Sequence, residues 1–483
     1  MSLAARVFTK LFGDIKLFSK LVLRRPLRQY QLRPVKAVLA SILNHQGLEF
    51  LAVFPRQSGK NEAASQLETY LINIFQRVGG NIIHGATGDA LGMATERLES
   101  QLDNPWNADL WGKKRKPARR ILGKAAVLFL STHPSASARG QTSHWLTVID
   151  EAQDQAGPHI EAVFTPMRAA NNATVLYLGT VKLTTDYLWH KKKELEQEQA
   201  QDGVQRVYLV TPEEVCRENP AYRAFLDAQI RKHGRHHPIV ASEYFLEPID
   251  GAGGLFDGRR LALIKGTHLR QHEPSPAALY VATLDVAGQD EAATDPLAQL
   301  AHPGRDYTVA TMFEIVPPGC GALTRFPTYL AVDVFVDQGG RHFEDAPGRP
   351  KLVERLAAWL ENWEIAHLVT DESGVGQGVT SWLTAALGHH RVTGYQFSGT
   401  GKKAALGSAL LSLIETGRFR YWTGDQDRPL SDGWWFWTQA RACTYELPPD
   451  GRFDRDLRWG VPPNARIDTP AGSQLIHDDR LIS

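Results

Sequence analysis

From Gln29 to about Leu246, short apolar runs alternate with longer stretches whose apolar positions recur every three or four residues. The runs Leu48–Phe54, Asn81–Ala86, Ala125–Ser131, His144–Asp150 and Ala173–Thr180 have the length and continuous apolarity of buried strands. Asn61–Phe75 and Ala90–Leu102, lying between them, carry helical spacing. The alternation predicts an α/β domain with a parallel sheet joined by crossovers. His190–Gly203 is charged throughout and closed by glycine, which predicts an exposed helix.

The glycine-dense stretch Asp250–Gly258 interrupts this pattern. Beyond it, "ALYVATLDVAG", "DYTVATMFEIV" and "TYLAVDVFVD" predict three strands in succession. A helix (Leu352–Trp363), the strand "AHLVTDES", another helix and "VTGYQFSG" follow, so a second, mixed sheet is expected. The expected division is residues 1–249, a hinge at 250–258, and residues 259–483.

Composition narrows the classes. A chain of 483 residues, 43% of them hydrophobic, can bury two or three domain cores. With 54 Lys+Arg against 53 Asp+Glu, net charge alone announces no nucleic-acid partner. Two local basic runs, Leu23–Arg33 and Lys113–Arg120, are either solvated surface or contacts to a phosphate backbone. Cys216, Cys320 and Cys443 are far apart and lack Cys-x-x-Cys spacing, which argues against disulfides and structural zinc and fits a reducing cytoplasm. No apolar run approaches the roughly 18 residues that span a bilayer, so no membrane partner is expected.

Two constellations carry chemistry. In "FPRQSGKNEA" (Phe54–Ala63) a Gly-Lys pair stands between a strand and a helix, the setting of a phosphate-binding loop. Arg56, Gln57, Ser58, Gly59, Lys60 and Asn61 then form the nucleotide cradle, with Lys60 on the β/γ oxygens. The usual first glycine is missing, and asparagine replaces the hydroxyl residue that contacts Mg²⁺; an amide oxygen is a serviceable hard ligand. Arg56 lies four residues before Lys60, where its guanidinium can reach the γ-phosphate in cis. "WLTVIDEAQD" supplies the second half: Asp150 at a strand end to hold magnesium, and Glu151 to polarise the attacking water.

These motifs, with "ARGQTSH" upstream of the acids, resemble the large terminase subunit of tailed bacteriophages, whose loop commonly begins with arginine. The resemblance covers most of the chain. It implies an ATPase with Mg²⁺ as cofactor, and it places Gln31 of "YQLRPVKAVL" against the adenine. It implicates Gly179 and Thr180 of "LYLGT" in coupling hydrolysis to movement. Arg139 is implied either as a finger acting on a neighbouring subunit or as a structural ion-pair residue.

Asp285 in "ATLDVAG", Asp371 in "LVTDESGVGQG", and Asp478 with Asp479 in "LIHDDR" form the second constellation. Three carboxylates from separate elements suit two-metal phosphodiester hydrolysis, though each acid by itself also suits a turn or a cap. Their order resembles the ribonuclease-H-like nuclease of terminases, implying two divalent ions (Mg²⁺ or Mn²⁺) held by Asp285, Asp371 and either Asp478 or Asp479. Asp306 is read as a turn residue or a neighbour of the metal. The implied partners are double-stranded DNA, a portal protein and its procapsid, a small terminase subunit, and further copies in a ring, with a monomer in solution as the other state. The implied location is the host cytoplasm, docked transiently on the portal. Family members continue past the residues matched by "HDDRLIS", implying a short copy or a truncated chain. A helicase-nuclease of repair or defence, and a non-catalytic ATP-dependent DNA clamp, are the alternatives.

Overall fold

The computed structural model describes residues 9–136, 138–287, 307–319, 325–338, 341–345, 348–396, 399–448, 451–469 and 472–483. Asp306 and Cys320 lie outside them. The chain forms two compact units: residues up to Asp227 together with Pro238–Asp250, and Ala228–His237 together with Gly251–Ser483.

The first unit is built on β1 (Glu49–Val53), β2 (Gly80–Ala86), β3 (Trp111–Arg115), β4 (Ala118–Leu122), β5 (Ala125–Ser131), β6 (Leu146–Ile149), β7 (Thr174–Gly179) and β8 (Val207–Leu209). Among the described residues these make one eight-stranded sheet in the order β3-β4-β5-β2-β6-β7-β1-β8. From β5 to β8 every pairing is parallel. Strands covered on both faces need apolar residues at every position, which is why β6 and β7 are buried throughout. Leu51, Val53, Ile83, Leu128, Ile149 and Tyr177 form the shared core.

The basic run Lys113–Arg120 folds as part of the antiparallel β3–β4 hairpin at the sheet edge. Its charges hide strand periodicity in the sequence, and lysines on an edge strand discourage pairing with another chain. Because the other strands are parallel, the segments after β1, β2, β5, β6 and β7 all leave from one edge.

The second unit contains β9 (Ala252–Gly254), β10 (Lys265–Leu269), β11 (Leu279–Asp285), β12 (Thr308–Val316), β13 (Thr328–Asp337), β14 (His367–Asp371), β15 (Val392–Tyr395), β16 (Phe419–Thr423), β17 (Thr444–Glu446) and β18 (Arg458–Gly460). Its main sheet runs β10-β16-β13-β12-β11-β14-β15. β11, β12 and β13 form an antiparallel meander, with β14 and β15 added parallel to β11. That is the ribonuclease-H-like order. Helices Leu352–Asn362 and Gly376–Leu387 bury Leu356 and Leu383 against Ala282, Leu284 and Met312 on one face. The adjacent aromatics of "GWWFWTQA" serve packing: Phe436 stacks on Tyr421 with ring centroids 3.6 Å apart. The glycine-rich stretch is partly a strand, since β9 pairs with β17.

Candidate active site

β1 ends inside the first sheet, and Phe54 continues its pairing by donating to Gly179 O at 3.0 Å. The chain then turns through Gln57 (φ 63°) and Gly59 (φ 92°) and enters the helix Lys60–Ile74. Gly59 has two reasons to be glycine. Its backbone is left-handed, and a Cβ there would stand 2.6 Å from the Gln31 side-chain nitrogen. The loop is braced from outside by the start of helix Gln29–Leu43: Tyr30 Oη donates to Ser58 O (2.9 Å) and Gln31 Nε2 donates to Gly59 O (2.9 Å).

Lys60 is buried, and its Nζ stands 2.7 Å from Glu151 Oε2 and 3.1 Å from Asp150 Oδ1. Burial pulls the ammonium pKa down, but the charges of Asp150 and Glu151 outweigh it, and the net shift is upward. Asp150 is the converse: burial favours the acid form, yet Lys60, and then His84, hold the carboxyl below its ordinary value. Among the described residues Asp150 Oδ2, which is buried, has no hydrogen-bond partner, and it faces His84 Nε2 at 3.9 Å. His84 on β2 bonds Glu68 through Nδ1 at 2.6 Å. Burial disfavours its imidazolium, but Glu68 and then Asp150 outweigh burial and raise its pKa.

Glu151 occupies the left-handed region at φ 46°, a sparsely populated conformation for a non-glycine residue, and such positions collect at functional sites. Its carboxylate accepts from Gln153 Nε2 at 2.7 Å, while Gln153 Oε1 accepts from Thr180 N at 3.1 Å. Thr180 Oγ1 in turn donates to Phe54 O at 3.1 Å. A Cβ on Gly179 would meet Gln153 Oε1 at 2.4 Å, so glycine is needed for that approach. The acid pair, the end of β7 and the mouth of the loop thus form one hydrogen-bonded chain.

The donor set fits a magnesium-bound nucleoside triphosphate: a buried ammonium at a helix start, a left-handed glycine turn, and an orphaned carboxylate oxygen on Asp150. Arg56 is turned aside. Its Nη1 bonds both oxygens of Glu243 at 2.7 Å, and its backbone N–H donates to Glu243 O at 2.8 Å. Arg139 is exposed on the segment that leaves β5 toward β6, from the same sheet edge. Asn61 follows Lys60 in the first helical turn and is half-buried.

In the second unit, Asp285 and Asp371 are the last residues of β11 and β14. Parallel pairing of Leu284 with Thr370 brings these two acids to neighbouring strand ends. Asp371 Oδ1 accepts from Ser373 N at 2.8 Å. Asp478 and Asp479 diverge: Asp478 Oδ2 stands 3.5 Å from Lys403 Nζ, whereas buried Asp479 accepts from Tyr307 N at 3.1 Å. Tyr307 immediately precedes β12, which pairs with β11, so Asp479 is the acid that reaches the sheet. The short helix Asp479–Ile482 is anchored by Arg480, whose Nη2 bonds Asp432 at 2.9 Å and whose N–H donates to Gln439 at 3.0 Å.

Of the acids expected to converge, Asp285 and Asp371 stand at neighbouring strand ends, while Asp478 and Asp479 face separate partners. Among the described residues no group of three or more His, Cys, Asp or Glu could hold a metal ion. Asp478 is drawn to Lys403, and Asp479 is occupied by a backbone donor.

Glu68, His84, Gln153 and Glu243 were not singled out by the motifs. His84 left a trace, a polar residue within the apolar run "NIIHGA". Glu243 left none, because it lies 187 residues from Arg56 in the chain.

Three solved structures to which the chain is similar are phage proteins or parts of them. The HK97 bacteriophage large terminase is 12% identical over 98% of each chain, with a TM-score of 0.41. The large terminase of a thermophilic bacteriophage is 10% identical over 90% of this chain and 95% of that one, with a TM-score of 0.42. The large terminase nuclease of thermophilic phage G20c, with bound cobalt, is 16% identical over 48% of this chain and 93% of that one, at a TM-score of 0.32. No protein-family model matches the sequence, and no curated protein does.

Proposed function

We propose that this chain is a viral DNA-packaging motor that hydrolyses ATP to move double-stranded DNA into a procapsid, with a nuclease unit that cuts concatemeric genomes. The observation that carries the reading is Lys60 shared between Asp150 and Glu151 at the carboxyl edge of a parallel sheet. Motif order along the chain supports it.

The reaction is ATP plus water to ADP and phosphate. Lys60 and the N–H groups that open its helix bind the β and γ oxygens. Magnesium bound with the nucleotide neutralises phosphate charge. Asp150, through Oδ2, and Asn61 are the residues that would hold that ion. When Lys60 turns from Glu151 to phosphate, the carboxylate becomes free to accept a proton from the attacking water. Gln153 keeps that carboxylate oriented. Arg56, released from Glu243, supplies positive charge to the transferring phosphoryl group.

The same connections offer a coupling route. A change at Glu151 passes through Gln153 to Thr180 and on to Phe54. The nuclease half of the reading is supported by the strand order and by Asp285 and Asp371 on adjacent strand ends. Portal, procapsid, small subunit, a ring of copies and a site of action in the host cytoplasm belong to the same proposal. Among the described residues no helix is long and apolar enough to cross a membrane.

Purified protein should release phosphate from ATP with Mg²⁺ and cut plasmid DNA with Mg²⁺ or Mn²⁺ in the absence of ATP. Absence of both activities would remove the reading. Cutting without ATP turnover would remove the motor.

A further inference from the structure

Asp150 is bracketed. Lys60 Nζ meets its Oδ1, while its Oδ2 faces His84 Nε2 at 3.9 Å. The sheet brings the acid and the imidazole together. His84 on β2 is level with Val148 on β6, and Asp150 N continues that pairing by donating to Gly85 O at 2.8 Å. Side chains two apart on a strand share a face, so His84 and Asp150 stand on the same side of the sheet. The helix Lys60–Ile74 supplies the third member. Glu68, about two turns beyond Lys60, accepts from His84 Nδ1 at 2.6 Å.

Glu68, His84 and Asp150 are 1%, 2% and 1% exposed. Among the described residues, His84 Nε2 and Asp150 Oδ2 both lack a hydrogen-bond partner although each faces the other. A ring with a carboxylate beyond each nitrogen is placed to donate to both. Its gap to Asp150 exceeds a hydrogen bond by about 1 Å, which a small rotation of the carboxylate closes. A buried charged pair contributes little net stability over apolar packing, so stability alone does not account for Glu68 and His84.

In the ATPase reading Lys60 leaves the acids for phosphate. Asp150 is then a buried carboxylate vacated on one side, and such a group is costly without a partner. His84 cannot follow Lys60, because Glu68 holds it. We propose that His84, held by Glu68, is a positioning residue that fixes the Asp150 carboxylate for the nucleotide-bound magnesium once Lys60 has moved. Each carboxylate oxygen has two lone pairs, so a donor from His84 leaves one for the ion or its water. The proposal rests on the ATPase reading and deepens it.

The test reads binding by the full chain. Adenylyl imidodiphosphate, a non-hydrolysable ATP analogue, is titrated calorimetrically at a series of free Mg²⁺ concentrations and in EDTA. In His84→Leu the half-saturating Mg²⁺ should rise roughly tenfold or more, the usual cost of losing a group that orients a metal-binding carboxylate. Affinity in EDTA should stay within about threefold of wild type, since Lys60 and the loop N–H groups are untouched. His84→Gln keeps an amide donor near the place of Nε2 and should restore the Mg²⁺ requirement to within about threefold of wild type. A merely structural histidine would move both variants alike. Glu68→Gln keeps shape and an acceptor but loses the charge, and should raise the half-saturating Mg²⁺ about threefold. It decides the matter if His84→Leu does not fold. An unchanged Mg²⁺ requirement in either His84→Leu or Glu68→Gln would overturn the proposal. So would equal rises in His84→Leu and His84→Gln. A wild type that binds no analogue at any Mg²⁺ concentration would instead remove the ATPase reading, which keeps the two failures distinguishable.

Discussion

At the carboxyl edge of the first sheet, Asp150 and Glu151 share one buried ammonium, and Asp150 faces an imidazole as well. In the second unit, Asp371 at a strand end and Asp479 at the start of a short helix are met by backbone N–H groups, and no three-residue ligand set forms among the described residues. In the first unit the acids are neighbours in the chain at one strand end, whereas in the second parallel pairing brings Asp285 and Asp371 to adjacent strand ends. They differ in what balances the acids. A buried carboxylate is costly unless a partner compensates it, and the first unit carries that partner within its own motif. Its geometry is consequently set by the protein. The second edge meets Asp371 and Asp479 with main-chain donors instead of a buried cation.

Lys60→Ala is the harshest way to break the contrast. It should abolish ATP turnover, weaken nucleotide binding and destabilise the first unit by about 3 kcal/mol, because Asp150 and Glu151 lose their shared cation. Phosphate release, nucleotide titration and calorimetry would read these three effects. Asp371→Ala should cost less than about 1 kcal/mol in the second unit, stop DNA cutting and leave ATP turnover intact. Equal destabilisation by both substitutions would erase the difference between the edges.

Histidines sharpen the comparison through pH. Buried acids raise the pKa of His84 in the first unit, whereas His237 in the second is fully buried and donates from Nε2 to Ser408 O, 3.0 Å away. Burial lowers the His237 pKa to about 4 from an ordinary 6.5. The unfolded chain then takes up its proton more readily, so stability falls as pH drops through 6.5 toward 4. The loss across that window should be about 3 kcal/mol, read as the melting temperature of the second unit. His237→Gln should flatten that dependence. The same residue bears on fragments: one beginning at Phe256 omits β9 and Ala228–His237, both of which group with the second unit. It should melt below a fragment that begins at Ala228.

The fold was largely legible because strands buried on both faces must be continuously apolar. β1, β2, β5, β6 and β7 all stand where such runs predicted them. The β3–β4 hairpin was not, since β3 is exposed and basic and β4 buries Arg120 on Glu99, so neither strand carries an apolar alternation. Lys60, Asp150 and Glu151 were legible through strand–loop–helix context. Glu68 and Glu243 act through contacts made only when separate segments meet, and spacing along the chain carries no trace of that; Gln153 lies two residues from Glu151, and only its bond to Thr180 needs the fold. Asp478 and Asp479, neighbours in sequence, are separated by the cap of a short helix that turns them toward different partners.

A smaller effect concerns the two arginines. Arg56→Ala removes a half-exposed pair with Glu243, so stability should change by less than about 1 kcal/mol. Hydrolysis should nonetheless slow in dilute monomer as well as in an assembled ring. Arg139→Ala should slow it only in the ring, and equal defects in both states would remove a role toward a neighbour.

The central claim is that Glu151 is the base that activates water beside Lys60. The most direct measurement is phosphate release by Glu151→Gln, paired with calorimetric titration of ATP under the same conditions. Nucleotide affinity within about twofold of wild type, with turnover reduced by at least about 100-fold, is the predicted result. Turnover close to wild type in that variant would contradict the account.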